Sequence, residues 1–471
     1  MTSVRKSNQR FLVIFLFMTA VLYVSVALYY AVIGPEFPLA KLLVFTNIAI
    51  VSIVVVNDFT ENRFDFFNVK IIFLVYYSLQ FIIWPIMVLW VGVTRRPIPI
   101  DGYYTLGLFY STLGILFFLL GNSLASKVGL NKNKYLLSDK WDSTLIWALV
   151  FGLVIVGYFA FSKLMQATGG ISNYISLSGY YRSGGLRGLG HWVYLSSTIL
   201  ALPLLFYAAA YLKHPHGVPV LNLFVLVGML FLCLFPAIVI GYRTAVLFPL
   251  VQVLLIYNYS QEKLSKRVIA LSFLIIVCFL LLIGFWRQQT SIKDLNFLAV
   301  VGLELLDIAS RFNASEVVAI MVKKLEETGD FAFGIPSLIG FSTILIPRAI
   351  YSDKIESMSE RFTREIMADW FPAGIDPSGV APSMLGEMYW NFSLIGVTFV
   401  MAIFGFICGV VYKFTMLHKD NRSILISYSL FYTYVFFAAE APTIATNGFI
   451  PIIVATTVCV VFLNRGTIFS K

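Results

Sequence analysis

The sequence predicts an all-α polytopic membrane protein of about twelve transmembrane helices, with one large helical loop on the side opposite the termini. Three observations predict it. Of 471 residues, 59% are hydrophobic and 12% charged, with a mean hydropathy of +0.85, whereas a soluble domain spends about a quarter of its residues on charges. Apolar runs of about 20 residues, enough for a helix to cross a hydrocarbon core of about 30 Å, recur from end to end. Inside lipid every backbone polar group must bond within its own segment, so these runs are helices. Finally, Lys and Arg gather in alternate connections, which orients the whole chain.

The spans fall at 11–33, 38–57, 71–94, 104–124, 143–163, 193–212, 219–240, 244–258, 268–286, 392–412, 424–441 and 448–464. The basic start, Arg5, Lys6 and Arg10, precedes an apolar stretch too long for a signal-peptide core, which reads as a retained first span. Connections on the side of the termini carry Arg63/Lys70, Lys127/Lys132/Lys134/Lys140, Lys213, Lys263/Lys266/Arg267 and Lys413/Lys419/Arg422. By the positive-inside rule that side is cytoplasmic. The pI near 9.2 is therefore topological and implies no nucleic acid. Cys233, Cys278, Cys408 and Cys459 all lie inside apolar runs, where they read as small hydrophobes and indicate neither disulfides nor a metal site.

The chain thus divides into a membrane domain of nine spans over 1–286, an outward loop over 287–391 and three final spans over 392–471. In the loop, residues 296–328 read as one helix. Asp353 and Glu356 form a capping box for a second, amphipathic helix through Phe362, Ile366 and Trp370 that suits a membrane surface. Residues 331–350 are apolar enough to dip into the bilayer, but Pro336, Gly340 and Pro347 and the even span count argue against a full crossing.

Outward connections should be poor in cations, yet Arg182 and Arg187 stand in YYRSGGLRGLGHW, Arg243 in the short turn GYRTAV, and Arg287 at the end of the ninth span. Each alone also reads as an interfacial anchor reaching headgroups. Together they point to an anionic, phosphate-bearing substrate, for which the planar guanidinium fork is suited. Arg348 and Arg311 add to them from the loop, although Arg311 shares its helix with Glu304, Asp307 and Glu316 and also reads as part of a solvated face. Candidate bases are Glu387 in APSMLGEMYWNF, Glu440 in FFAAEAPTIATNG and His191 beside Trp192. A carboxylate among apolar neighbours holds a proton more tightly than one in water, which suits general acid–base work. Glu387 and Glu440 are equally readable as solvent-wetted helix-end residues, and a lone histidine such as His191 is more often an interfacial residue. There is no phosphate-binding Gly-Lys-Ser/Thr loop, HExxH, CxxC or GxSxG, and few acidic residues lie mid-span, which weighs against nucleotide hydrolysis, metalloproteolysis and proton-coupled transport.

The segments YYRSGGLRG, GYRTAVLF, IPRAIYSDK and APSMLGEMYWNFSLIG, in this order, resemble the bacterial oligosaccharide repeat-unit polymerases of the Wzy class. The resemblance implies a glycosyltransferase of the bacterial inner membrane that moves glycan from undecaprenyl pyrophosphate onto a lipid-linked repeat unit at the periplasmic face. It implies as partners the lipid-linked oligosaccharide, the bilayer and a chain-length-regulating co-polymerase; because the glycosyl–pyrophosphate bond supplies the driving force and the sequence shows no metal-ligand cluster, no cofactor and no metal are expected. On this reading Arg182, Arg187, Arg243, Arg287, Arg348 and Arg311 surround the pyrophosphate, Glu387, Glu440 or His191 takes the acceptor proton, and Tyr389 and Trp390 stack on sugar. O-antigen ligases share the layout but typically place a histidine in the large loop, and 287–391 has none. A lipid-linked oligosaccharide flippase or other transporter is the remaining alternative, disfavoured by the large external loop.

Overall fold

In a computed structural model of the chain, residues 38–61, 63–93, 102–130, 141–177, 189–212, 219–261, 311–334, 358–366, 381–440 and 451–458, and parts of 264–278, are described. All regular elements among them are helical. They are α1 (Pro38–Thr60), α2 (Val69–Val91), α3 (Gly102–Ala125), α4 (Ser143–Ala167), α5 (Ile171–Ser176), α6 (Gly190–Tyr211), α7 (Val220–Ile240), α8 (Arg243–Ser260), α9 (Ala314–Thr328), α10 (Met358–Glu365), α11 (Met384–Leu417) and α12 (Arg422–Glu440). The first expected span, the Asp353–Glu356 box and most of 331–350 lie outside the described residues.

Of these helices, seven are long and apolar enough to cross a membrane: α1, α2, α3, α4, α6, α7 and α11. The expected spans 244–258 and 424–441 are present as α8 and α12, and both carry polar side chains that bond to other helices. Gln252 Nε2 of α8 donates to Thr433 Oγ1 of α12 at 2.6 Å, and Ser427 of α12 shares a 3.0 Å hydroxyl contact with Thr456. Such hydrogen bonds hold helices together where lipid offers no hydrophobic drive.

The chain forms two compact units. Unit 1 comprises Met1–Leu130, Ile308–Phe414 and Tyr434–Asn447. In it, small residues let α3 and α11 cross closely: a Cβ on Gly121 would lie 1.8 Å from Ala402 O, and one on Gly405 2.0 Å from Phe118 O. Asn122 Nδ2 adds a 3.3 Å bond to Gly405 O. Pro85 interrupts the hydrogen-bond ladder of α2, and the helix widens to π-turns on both sides, Leu79–Ile83 and Met87–Val91. One end of unit 1 collects basic connections. Lys70 pairs with Asp58 at 2.5 Å, Tyr412 Oη donates to Asp65 Oδ2 at 2.8 Å, and Lys413 Nζ caps Ser126 O and Val128 O at 2.7 Å each.

At the other end of these helices sits the described part of the large loop. The single helix expected over 296–328 is not continuous: residues 311–313 are turn and coil, and α9 begins at Ala314. Ala314–Val322 are all buried or nearly so, and Gly107 of α3 lets Ala319 approach to where a Cβ would be 3.3 Å from its backbone nitrogen. Glu316, expected on a solvated face, is 1% exposed. Arg311 is exposed. In α10, Phe362 is buried and meets Trp390 edge to face at 6.2 Å, so the apolar face of that helix rests on protein at this point.

Unit 2 comprises Asn131–Asp307, Thr415–Thr433 and Gly448–Lys471. Its core is α4, α6, α7 and α8, centred on Leu200, Leu204, Phe206 and Ile256. Pro236 inside α7 removes the amide that would bond to Leu232 O, and Tyr158 Oη of α4 donates to that carbonyl at 2.8 Å instead. Cys233 in this unit and Cys408 in unit 1 are buried free thiols.

Candidate functional site

In unit 1 the candidate site is built on the first residues of α11. The helix is broken: Phe392 (φ −142°, ψ 18°) and Ser393 (φ 54°, ψ −143°) leave helical geometry, so residues 384–391 form a short arm distinct from the membrane stretch that follows. This places the membrane-crossing part close to where the sequence puts the tenth span, at 392–412.

Both ends of the arm are capped. Ser383 sits at φ 61°, and its hydroxyl accepts from Gly386 N at 3.1 Å. At the other end, Ala332 N donates to Trp390 O at 2.9 Å and Gly334 N to Asn391 Oδ1 at 3.0 Å. Trp390 Nε1 returns a 3.2 Å bond to Asp330 O. The large loop thus satisfies a backbone carbonyl that the broken helix leaves open and two side chains at its end. Along its sides the arm packs on α3 and α9, with Tyr389 stacked on Tyr110 at 4.9 Å and Met321 filling the space over Gly386.

Glu387 lies in the first turn of this arm and is 1% exposed. The partial positive charge of a helix N-terminus favours its ionised form, and burial opposes it. Asn391 Nδ2 donates to the Glu387 backbone carbonyl at 2.9 Å, and Tyr434 of α12 is within electrostatic range of the carboxylate. A small cavity lies against the arm, lined by Tyr76, Tyr77 and Gln80 of α2, Met384 and Leu385 of the arm and Ala439 of α12. Tyr389 and Trp390 are buried, the second held between Phe362 and the Arg361 guanidinium 5.4 Å from its ring. In this conformation neither ring is open to a sugar. Glu440 is the last residue of α12, and its side chain lies outside the described residues.

In unit 2, Arg243 and His191 lie at one end. Gly241 (φ 76°) closes α7, its amide bonded to Ala237 O and Ile238 O, and Arg243 opens α8 two residues later, half-buried. Tyr174 of α5 donates to Ile240 O at 3.4 Å, and Tyr174, Val193, Val239 and Ile240 form one apolar cluster with Leu189 and Trp192. His191 is exposed on the first turn of α6, its ring 4.5 Å from that of Trp192. Arg182, Arg187, Arg287 and Arg348 lie outside the described residues.

The buried carboxylate that sequence reasoning missed is Glu316, whose Oε1 accepts from Trp84 Nε1 at 3.0 Å. Its signal was available. Glu316 is followed by VVAIMV, six apolar residues that wrap the whole circumference of a helix, so the turn beside it has no face suited to solvent. No group of His, Cys, Asp or Glu able to hold a metal occurs among the described residues.

A profile of the family described as O-antigen polysaccharide polymerase Wzy matches residues 10–471. No curated protein and no solved structure matches. A match over nearly the whole chain, on a helical membrane framework, shows that the chain belongs to the O-antigen polysaccharide polymerase Wzy family, and so is an integral membrane polymerase of lipid-linked repeat units.

Proposed function

We propose that this polymerase works at the periplasmic face of the bacterial inner membrane, with twelve spans and both termini in the cytoplasm, and that Glu387 is its base. The acceptor is the terminal sugar of an incoming lipid-linked repeat unit. Its hydroxyl oxygen forms the new bond to the anomeric carbon of the donor glycan. The bond from that carbon to undecaprenyl pyrophosphate breaks, the pyrophosphate leaves with the electron pair, and the hydroxyl proton passes to the Glu387 carboxylate. A sugar hydroxyl is a very weak acid, so proton removal must accompany bond formation. Arg182, Arg187, Arg243, Arg287, Arg348 and Arg311 are the cations proposed to offset the charge that develops on the leaving pyrophosphate.

The observation that carries this reading is a carboxylate held out of solvent on a helical arm capped at both ends. A base exposed to water would equally serve hydrolysis of the activated glycan, whereas a dry one acts only when an acceptor enters. The collection of Asp58–Lys70, Tyr412–Asp65 and Lys413 at the opposite end of unit 1 supports the outward side for the arm, given the positive-inside rule. The test is complementation of a polymerase-deficient strain. Restored glycan ladders are expected, and surface lipid bearing only single repeat units would refute polymer extension by this chain.

A further inference from the structure

Glu316 is a second buried carboxylate, and the transfer step described above does not use it. It occupies the first turn of α9 and reaches across 232 residues of sequence to the Trp84 indole. Burying an acid is a costly way to pack a helix, since an apolar side chain of similar size would fill the space with no desolvation penalty. What the carboxylate adds is direction, because one acceptor oxygen meets one donor along a fixed line. Trp84 starts the three-residue α-turn between the two π-turns of α2, beside Pro85, where the backbone departs from regular helix. One turn earlier, Gln80 lines the cavity against the arm that carries Glu387.

The rest of α9 transmits this contact. Ser315 Oγ lies 3.2 Å from Tyr104 Oη of α3, so neighbouring residues of α9 are tied to two different helices. Five residues beyond Glu316, Met321 packs over Gly386, where an added Cβ would stand 3.3 Å from Met321 Cε. Gly386 immediately precedes Glu387. A shift of α9 along its axis would therefore move the floor on which the first turn of the arm rests. We infer that Glu316, through its hydrogen bond from Trp84, is a positioning residue that fixes α9 and with it the placement of Glu387. The inference rests on the reading of Glu387 as the base.

The test uses the purified full-length enzyme in lipid with its lipid-linked repeat unit, reading kcat and KM per mole of folded protein. Trp84→Phe keeps the ring and loses only the donor. It is expected to lower kcat about tenfold with KM unchanged, and Glu316→Ala is expected to do the same. The double variant should be no worse than the poorer single one, because both remove one interaction. Glu316→Gln retains an acceptor oxygen and is expected to recover most of the kcat that alanine loses. Inactive Glu316→Gln would overturn the inference by showing that the carboxylate takes part in proton transfer. Full kcat in both Trp84→Phe and Glu316→Ala would overturn it too, as would losses confined to the yield of folded protein. Glu387→Gln in the same assay separates the two claims. If it is active while the others lose kcat, the base reading fails and takes this inference with it. If it is inactive while the others keep full kcat, only the positioning role fails.

Discussion

The hydroxyl of Tyr158 on α4 donates to the carbonyl of Leu232 on α7, four residues before Pro236, at 2.8 Å. The proline has no amide to give that carbonyl, so a neighbouring helix supplies the donor. Tyr158→Phe is expected to cost about 0.6–1.7 kcal/mol, the span from the average to the largest value for hydrogen bonds between helices in a membrane protein. In a Pro236→Ala background the same change should cost much less, because amide 236 can then bond Leu232 itself. Unfolding titrations of the four proteins in micelles measure both values, and equal costs in the two backgrounds would refute the substitution of one donor for the other.

The crossing of α3 and α11 yields a steric prediction. At Gly121 and Gly405 an added methyl would fall within 2.0 Å of a backbone carbonyl oxygen, which no rotamer change relieves. Gly121→Ala and Gly405→Ala are each expected to destabilise by about 1–3 kcal/mol, the range for overpacked interiors. Thermal unfolding and membrane yield would show it, and unchanged stability in both would refute the close crossing.

If Glu387 is the base, Glu387→Gln keeps shape and hydrogen bonding but removes the proton acceptor. Turnover is expected to fall by about 10²–10⁴-fold, the span typical of general base catalysis. Donor binding, followed by equilibrium binding of the lipid-linked glycan, should persist. Near-normal polymerisation would move the base role to Glu440 or His191.

Arg243 opens α8 at the end of the α7–α8 turn, half-buried. Lysine there keeps the charge and loses the planar fork that grips phosphate oxygens in pairs. Arg243→Lys is expected to shorten the glycan ladder in cells at normal protein level. A ladder of full length would remove Arg243 from the pyrophosphate site.

Reporter fusions at Lys134, Lys263 and Lys419 are expected to give cytoplasmic signals, and one at Lys323 a periplasmic signal. A cytoplasmic signal at Lys323 would overturn the topology.

Hydropathy made most of the membrane framework legible, because a bilayer demands a long apolar run and tolerates few exceptions. The span starting at 104 and the turn before Arg243 could be read from apolar length and from Gly241 in that turn. Polar contacts between helices were not legible, since nothing local in Gln252 or Thr433 says that they meet. The small-residue pattern Gly405-Phe-Ile-Cys-Gly409 is a readable sign of close packing. At the candidate site Glu387 stood out by its setting. The charge of Glu316 suggests a solvated face while the apolar run that follows it suggests burial, and its bond to Trp84 spans too much sequence for any motif to reveal.

The break at Phe392 and Ser393 also bears on bilayer thickness. An unbroken helix over the 34 residues of α11 would be about 51 Å long, well beyond a hydrocarbon core of about 30 Å, and would have to tilt steeply. With the break, residues 394–417 alone, about 36 Å of helix, match the lipid with a modest tilt. A membrane that thickens or thins can then be met by leaning this lower rod. The arm above it is fastened through Ala332, Gly334 and Asp330, and it need not lean with it. The polymerase can thus keep Glu387 in register while its host bilayer changes composition.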